Sequence, residues 1–172
     1  MSRPLRKLSE ILKEMSEQLY RDPAAIPTSE AAHMALFLAN MAWNETVGMD
    51  HPRESYRPTW QTLAADNPLL WSELKSRHVD DMIDELIRYK QRHYPHDRRR
   101  ILICGIPDGK IHVEWLPPAA PGVDVKWETH LYGLVRTGHR DQAIHLLTQT
   151  RNLPRRQAAN RVAKIAAELG IG

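Results

Sequence analysis

The sequence predicts an α+β protein that is predominantly helical. It carries a small antiparallel β-hairpin or three-stranded sheet in its second half and a helical hairpin at its C-terminal end. Three observations carry this expectation. Apolar residues recur at spacings of three and four through most of residues 5–92, which places them on one side of successive helices. The period shortens to two in 111–116, where Ile111, Val113 and Trp115 or Leu116 alternate with His112 and Glu114. Helical spacing returns from about residue 128.

Each element has local reasons. Leu5, Leu8, Leu12, Met15 and Leu19 form the apolar stripe of a first helix over 4–20, with Pro4 suited to its first turn. Pro23 and Pro27 mark a loop. Thr28 or Ser29 caps a second helix that runs to Gly48. Met34, Leu36, Phe37, Leu38, Met41, Trp43 and Val47 make it apolar nearly all round, so it is expected at the centre of the fold. Two short helical pieces, broken at Asn67-Pro68, are followed by an amphipathic helix over 77–92. A hairpin follows, with Asp108-Gly109 able to adopt the positive φ of a tight turn. Val123–Trp127 is the expected third strand, since an isolated hairpin is marginal in water. Helices over 128–137, 140–150 and from Pro154 onward close the chain, with Gly138 as a helix stop.

At 172 residues, with 42% apolar and 26% charged side chains, the composition is that of an ordinary globular protein. No apolar run approaches the ~20 residues of a membrane helix, and the charged N-terminus lacks the apolar core of a signal peptide. The single cysteine, Cys104, excludes an internal disulfide framework. A cytoplasmic location, with no membrane contact, is the expectation.

Charge is unevenly shared. Residues 1–87 hold 9 Lys+Arg against 14 Asp+Glu, and residues 88–172 hold 15 against 7. An acidic helical region over 1–95 and a basic region over 96–172, within one compact domain or two, follow from this division. Two arginine-rich clusters stand out: Arg98, Arg99 and Arg100 beside Tyr89 and Tyr94, and Arg151, Arg155, Arg156, Arg161 and Lys164 near the end. Arginine binds phosphate in bidentate fashion and stacks on bases, so arginine with tyrosine suits nucleic acid better than lysine alone.

Other constellations point elsewhere. His33, Asn40 and Asn44 fall near one helical face and suggest either a polar pocket floor or a network tying that helix to a loop such as the one holding His51 and Tyr56. Glu30-Ala-Ala-His33 has the Glu-x-x-His spacing of di-iron bundles, with His78 and Asp81 as the best second set. Cys104 sits in a strand, where burial argues against a nucleophile. No Gly-x-Ser-x-Gly, Walker A or Gly-x-Gly-x-x-Gly motif occurs, so no cofactor is implied. Over 138–169, Gly138-His-Arg-Asp-Gln-Ala143-Ile144, Thr150, Leu153 and the alanine-rich helix with Val162 and Leu169 resemble the helical hairpin of the C-terminal domain of the ribosomal stalk protein. Arg151 stands where that pattern has glycine. The resemblance implies a protein-docking hairpin and no functional residue.

The expected function is a non-enzymatic interaction module. Its basic C-terminal half would bind an acidic macromolecule, either RNA or DNA or an acidic protein, through Arg98, Arg99, Arg100, Arg155, Arg156, Arg161 and Lys164. Two alternatives stand beside it. One is a metal-dependent helical enzyme using Glu30, His33, His78 and Asp81. The other is a structural homo-oligomer with Trp43, Trp60 and Trp71 at its interface.

Overall fold

The computed structural model describes residues 6–48, 62 and 65–171. Among them are seven α-helices and one two-stranded antiparallel sheet. The chain divides into two compact units, Met1–Pro118 and Ala119–Gly172, with the division inside the proline-rich stretch 117–122.

The first unit is organised around α2 (Ser29–Thr46). Thr28 accepts the Ala31 N–H at 3.3 Å and caps the helix, as its residue type predicts. Ten residues of α2 are buried, from Ala31 to Asn44, and they lie on several sides of the helix. That distribution requires partners all round it. They are α1 (Leu8–Glu17), α3 (Leu70–Glu73), α4 (Val79–His93) and the first strand, β1 (Arg100–Gly105). Helix α1 contributes Leu8, Ile11, Leu12 and Met15, and α4 contributes Met82, Ile83 and Leu86. Pro4, Leu5, His51, Tyr56 and Trp60 lie outside the described residues.

Strand β1 pairs with β2 (His112–Leu116) through a register that joins Arg100 to Leu116 and Gly105 to His112, with an irregularity between Ile101 and Ile103. Asp108 and Gly109 both adopt positive φ in the connection (52° and 75°), as the Asp-Gly pair predicts. Ile101 is buried in the core around α2, and Cys104, Ile111 and Val113 pack against that core. Leu116 is buried, whereas Trp115 is half exposed beneath the Arg99 guanidinium, 5.3 Å from its ring centroid.

The expected third strand does not form. Asp124 accepts the Trp127 N–H at 3.1 Å and caps α5 (Val125–Arg136), so residues 123–127 turn into a helix. The edge of β1 is served by α2 instead. The Asn44 side chain donates to Ile101 O at 2.9 Å and accepts from Ile101 N–H at 3.0 Å. Trp43 Nε1 donates to Arg99 O at 2.6 Å. Two side chains of one helix thus take the backbone groups that a neighbouring strand would otherwise satisfy.

The second unit is built from α5, α6 (Arg140–Arg151) and α7 (Arg155–Glu168). Its core is separate: Leu131, Val135, Ala143, Leu147, Ala158, Val162, Ile165 and Ala166. Gly138 (φ 81°) ends α5, and Asn152 ends α6 in the left-handed conformation (φ 50°), which asparagine tolerates better than most residues.

Candidate functional site

Helix α7 has two chemically distinct sides. Ala158, Val162, Ile165 and Ala166 face the core of the second unit. Arg155, Arg156, Gln157, Asn160, Arg161 and Lys164 are exposed. Residues 156, 160 and 164 form one i,i+4 row on the helix surface, and 157 and 161 form the row beside it. Arg156, Gln157, Asn160, Arg161 and Lys164 therefore share one solvent-facing surface, and Arg155 is exposed at the start of the helix.

Nothing in the helix neutralises this surface near its start. The residue at the cap position is Pro154, no side chain caps the helix, and its first turn holds no acidic residue. Arginines there oppose the positive end of the helix dipole, so helix stability does not account for them. Among the described residues no ion pair joins Arg155, Arg156, Arg161 or Lys164 to an acid. Glu168, in the last turn, accepts instead from the Tyr132 hydroxyl at 2.7 Å. Burial together with that hydrogen bond pushes the Tyr132 phenol up to about 12. Residues 119–172 hold 8 Lys+Arg and 4 Asp+Glu, against 16 and 17 in residues 1–118. The positive balance of the chain thus resides in the helical unit that carries α7.

The other arginine cluster behaves differently. Arg98 is exposed, but Arg99 and Arg100 are 6% and 3% exposed. Arg99 pairs with Asp97 and donates to Arg6 O at 3.0 Å, and Arg100 Nε donates to Pro117 O at 3.0 Å. Both guanidinium groups are committed inside the fold, which removes them from the surface expected of Arg98–Arg100. Lys90 is also buried. Its ammonium donates to Asp97 O at 2.7 Å and lies 4.9 Å from the Trp43 ring centroid. Burial lowers its pKa, with Asp97 opposing the shift.

The tyrosines interleaved with that cluster point to a carboxylate rather than to solvent. Tyr89 and Tyr94 donate to Glu14 Oε1 at 2.5 and 2.9 Å, and Arg6 donates to Glu14 Oε2 at 2.7 Å. Burial alone would raise the Glu14 pKa, but the three hydrogen bonds and the Arg6 charge outweigh it and leave it lowered. Burial and the same carboxylate raise both phenols, Tyr94 to about 12. Ionised Glu14 therefore stabilises the fold above the ordinary carboxylate pKa, and that stabilisation is lost as pH falls through its lowered value. Glu14→Gln should be less stable than the parent at pH 7, and the two should converge as pH falls below the ordinary glutamate value of about 4.3. Denaturant midpoints across that fall in pH check this; a constant gap would show that Glu14 contributes no proton linkage.

The polar helix face resolves into a structural network. Asn44 is 1% exposed and makes the two bonds to Ile101; it also donates to Asn40 Oδ1 at 3.3 Å. His33 is exposed, with Nδ1 2.7 Å from Ser29 O of its own helix. Asn40 and Asn44 thus belong to one hydrogen-bonded set, and the exposed His33 bonds within its own helix. Glu30, His33, His78 and Asp81 are all exposed or half-buried at the surface, and no group of three metal-ligating side chains gathers among the described residues. The four residues of the metal-enzyme alternative are thus not gathered into one group. Burial pushes the Cys104 thiol up to about 11, far from a reactive thiolate. Trp43 and Trp71 belong to the core of the first unit, which occupies two of the three tryptophans expected at an oligomer interface.

Between α5 and α6 lies an open groove of about 400 Å³ lined by His130, His145, Asp141, Leu134 and Leu146 among others. Among the described residues no helix is long and apolar enough to cross a membrane. Comparisons with protein families, with curated proteins and with solved structures return no match. The resemblance to the ribosomal stalk domain accordingly gains no support, and the reading of function rests on the surface of α7.

Proposed function

We propose that the protein is a non-catalytic interaction module and that the exposed face of α7 binds a nucleic-acid backbone. The observation that carries this reading is the set Arg155, Arg156, Arg161 and Lys164: four exposed cations on one short helix with no acidic partner among the described residues. Three of the four are arginines, whose planar fork matches phosphate oxygens in pairs. Gln157 and Asn160 lie between them and supply neutral donors and acceptors along the same surface. Such a surface binds by releasing counterions, so its affinity falls steeply with salt.

Arg156→Ala with Arg161→Ala removes two of the four charges, and surface changes of this kind alter stability by only about 0.5 kcal/mol. Binding of a 20-nucleotide fluorescent RNA is measured by anisotropy from ~50 to ~200 mM salt, the range over which phosphate neutralisation reveals itself. The slope of log affinity against log salt should become shallower by about 1.4–1.8, which is about 0.7–0.9 for each phosphate that the variant no longer neutralises. A parent protein with no measurable affinity at the lowest salt would overturn the reading. Equal or tighter binding to polyglutamate would assign the same face to an acidic protein.

A further inference from the structure

The end of α6 carries an arrangement that arginine count alone does not capture. Trp127 stands in the first turn of α5, and its ring packs partly against the core of the second unit. Its Nε1 donates to Thr150 Oγ1 at 2.9 Å, and Thr150 in turn donates to Leu146 O at 2.7 Å. The indole is therefore anchored by the core on one side and by a hydrogen bond at its edge. Arg151 lies over the ring with its guanidinium carbon 4.5 Å from the centroid. Arg151 is exposed, and among the described residues no acid pairs with it.

A cation over an indole face is attracted by the ring quadrupole. That attraction holds the guanidinium in place while leaving it open to solvent. Unpaired bases stack on guanidinium planes as they do on aromatic rings. Residues 152–154 alone separate Arg151 from Arg155 at the start of α7. Four Cα–Cα steps at no more than ~3.6 Å each keep the two within about 14 Å. A strand whose phosphates lie on Arg155 and Arg156 can therefore reach Arg151 with a neighbouring base.

We propose that Arg151, held on Trp127, is a base-stacking platform, and that the nucleic acid bound by α7 is single-stranded. This rests on the reading of α7 given above and specifies its substrate class. A duplex keeps its base faces within its own stack and cannot use such a platform, whereas a single strand can.

Arg151→Lys separates the two ideas, because it keeps the charge and removes the planar group. Anisotropy is measured with a 20-nucleotide single-stranded RNA and with a duplex of the same length, at one low salt concentration. The parent should bind the single strand about ten-fold or more tighter than the duplex, the scale expected of a stacked base. Arg151→Lys should lose about ten-fold on the single strand, with its duplex affinity and salt slope unchanged. A parent that binds both forms equally overturns the platform while leaving the phosphate-binding face intact. A variant that keeps its single-strand preference, or that loses affinity equally for both forms, also overturns it. A parent that binds neither form removes both readings together.

Discussion

Trp43→Ala is expected to destabilise the first unit by about 4 kcal/mol, within the roughly 3–5 kcal/mol range of buried tryptophan truncations. Trp43 is fully buried in the last turn of α2. Its loss would open a large void among the packed residues and remove the ring on which Lys90 rests. It would also leave Arg99 O without the 2.6 Å donor that now satisfies it. The Lys90 ammonium would still donate to Asp97 O, but in surroundings that already disfavour its charge. Denaturant unfolding followed by near-ultraviolet circular dichroism checks the value; a loss under about 2 kcal/mol, below the range for such truncations, would mean the site collapses around the gap. Trp43→Phe should recover most of the packing but not the hydrogen bond, and so fall between parent and alanine variant.

Asn44→Leu is expected to cost about 3 kcal/mol, although it replaces a polar side chain by an apolar one of similar size in a buried position. The reason is the pair of bonds to Ile101. Without the amide, a buried N–H and a buried C=O both lose their partner, at roughly 1–3 kcal/mol each, against which leucine burial is only a partial offset. The melting temperature should fall by about 10 °C. The Ile101 amide proton should exchange faster than those of α1, which the substitution does not touch. Asn40→Ala is the control: Asn40 accepts one long bond from Asn44, so the change should cost under about 1 kcal/mol. If Asn44→Leu proves neutral, the helix side chain is not what completes the edge of β1.

These two residues explain how a two-stranded hairpin persists without a third strand. Trp43 and Asn44 are adjacent on α2, yet they reach Arg99 and Ile101, two residues apart at β1. The helix thereby holds both the strand and its own buried amide in a single arrangement. An asparagine and a tryptophan on a buried helix are chemically conspicuous, and both have a structural role here, while the candidate functional surface lies on a helix of ordinary appearance.

The α+β class is readable from the sequence, and the reason is periodicity. The stripes of α1 and α4, the nearly all-round apolar character of α2, the alternation in β2 and the Asp-Gly turn each depend on neighbouring residues, and local geometry carries them into the fold. The exposure of Arg156, Arg161 and Lys164 is readable for the same reason, since Ala158, Val162 and Ile165 determine which side of α7 turns inward. Residues 123–127 have the β-propensity of a strand, but a stronger local signal overrides it: Asp124, three residues before Trp127, acts as a helix cap. Only the tertiary structure decides the fate of the charged and polar groups. Arg99 and Arg100 look like surface residues until Arg6 O and Pro117 O approach them; Tyr89 and Tyr94 look like partners of a basic stretch until Glu14 arrives from a helix 75 residues before Tyr89. A charged side chain goes where its partner is, and long-range partners are set by packing rather than by spacing along the chain.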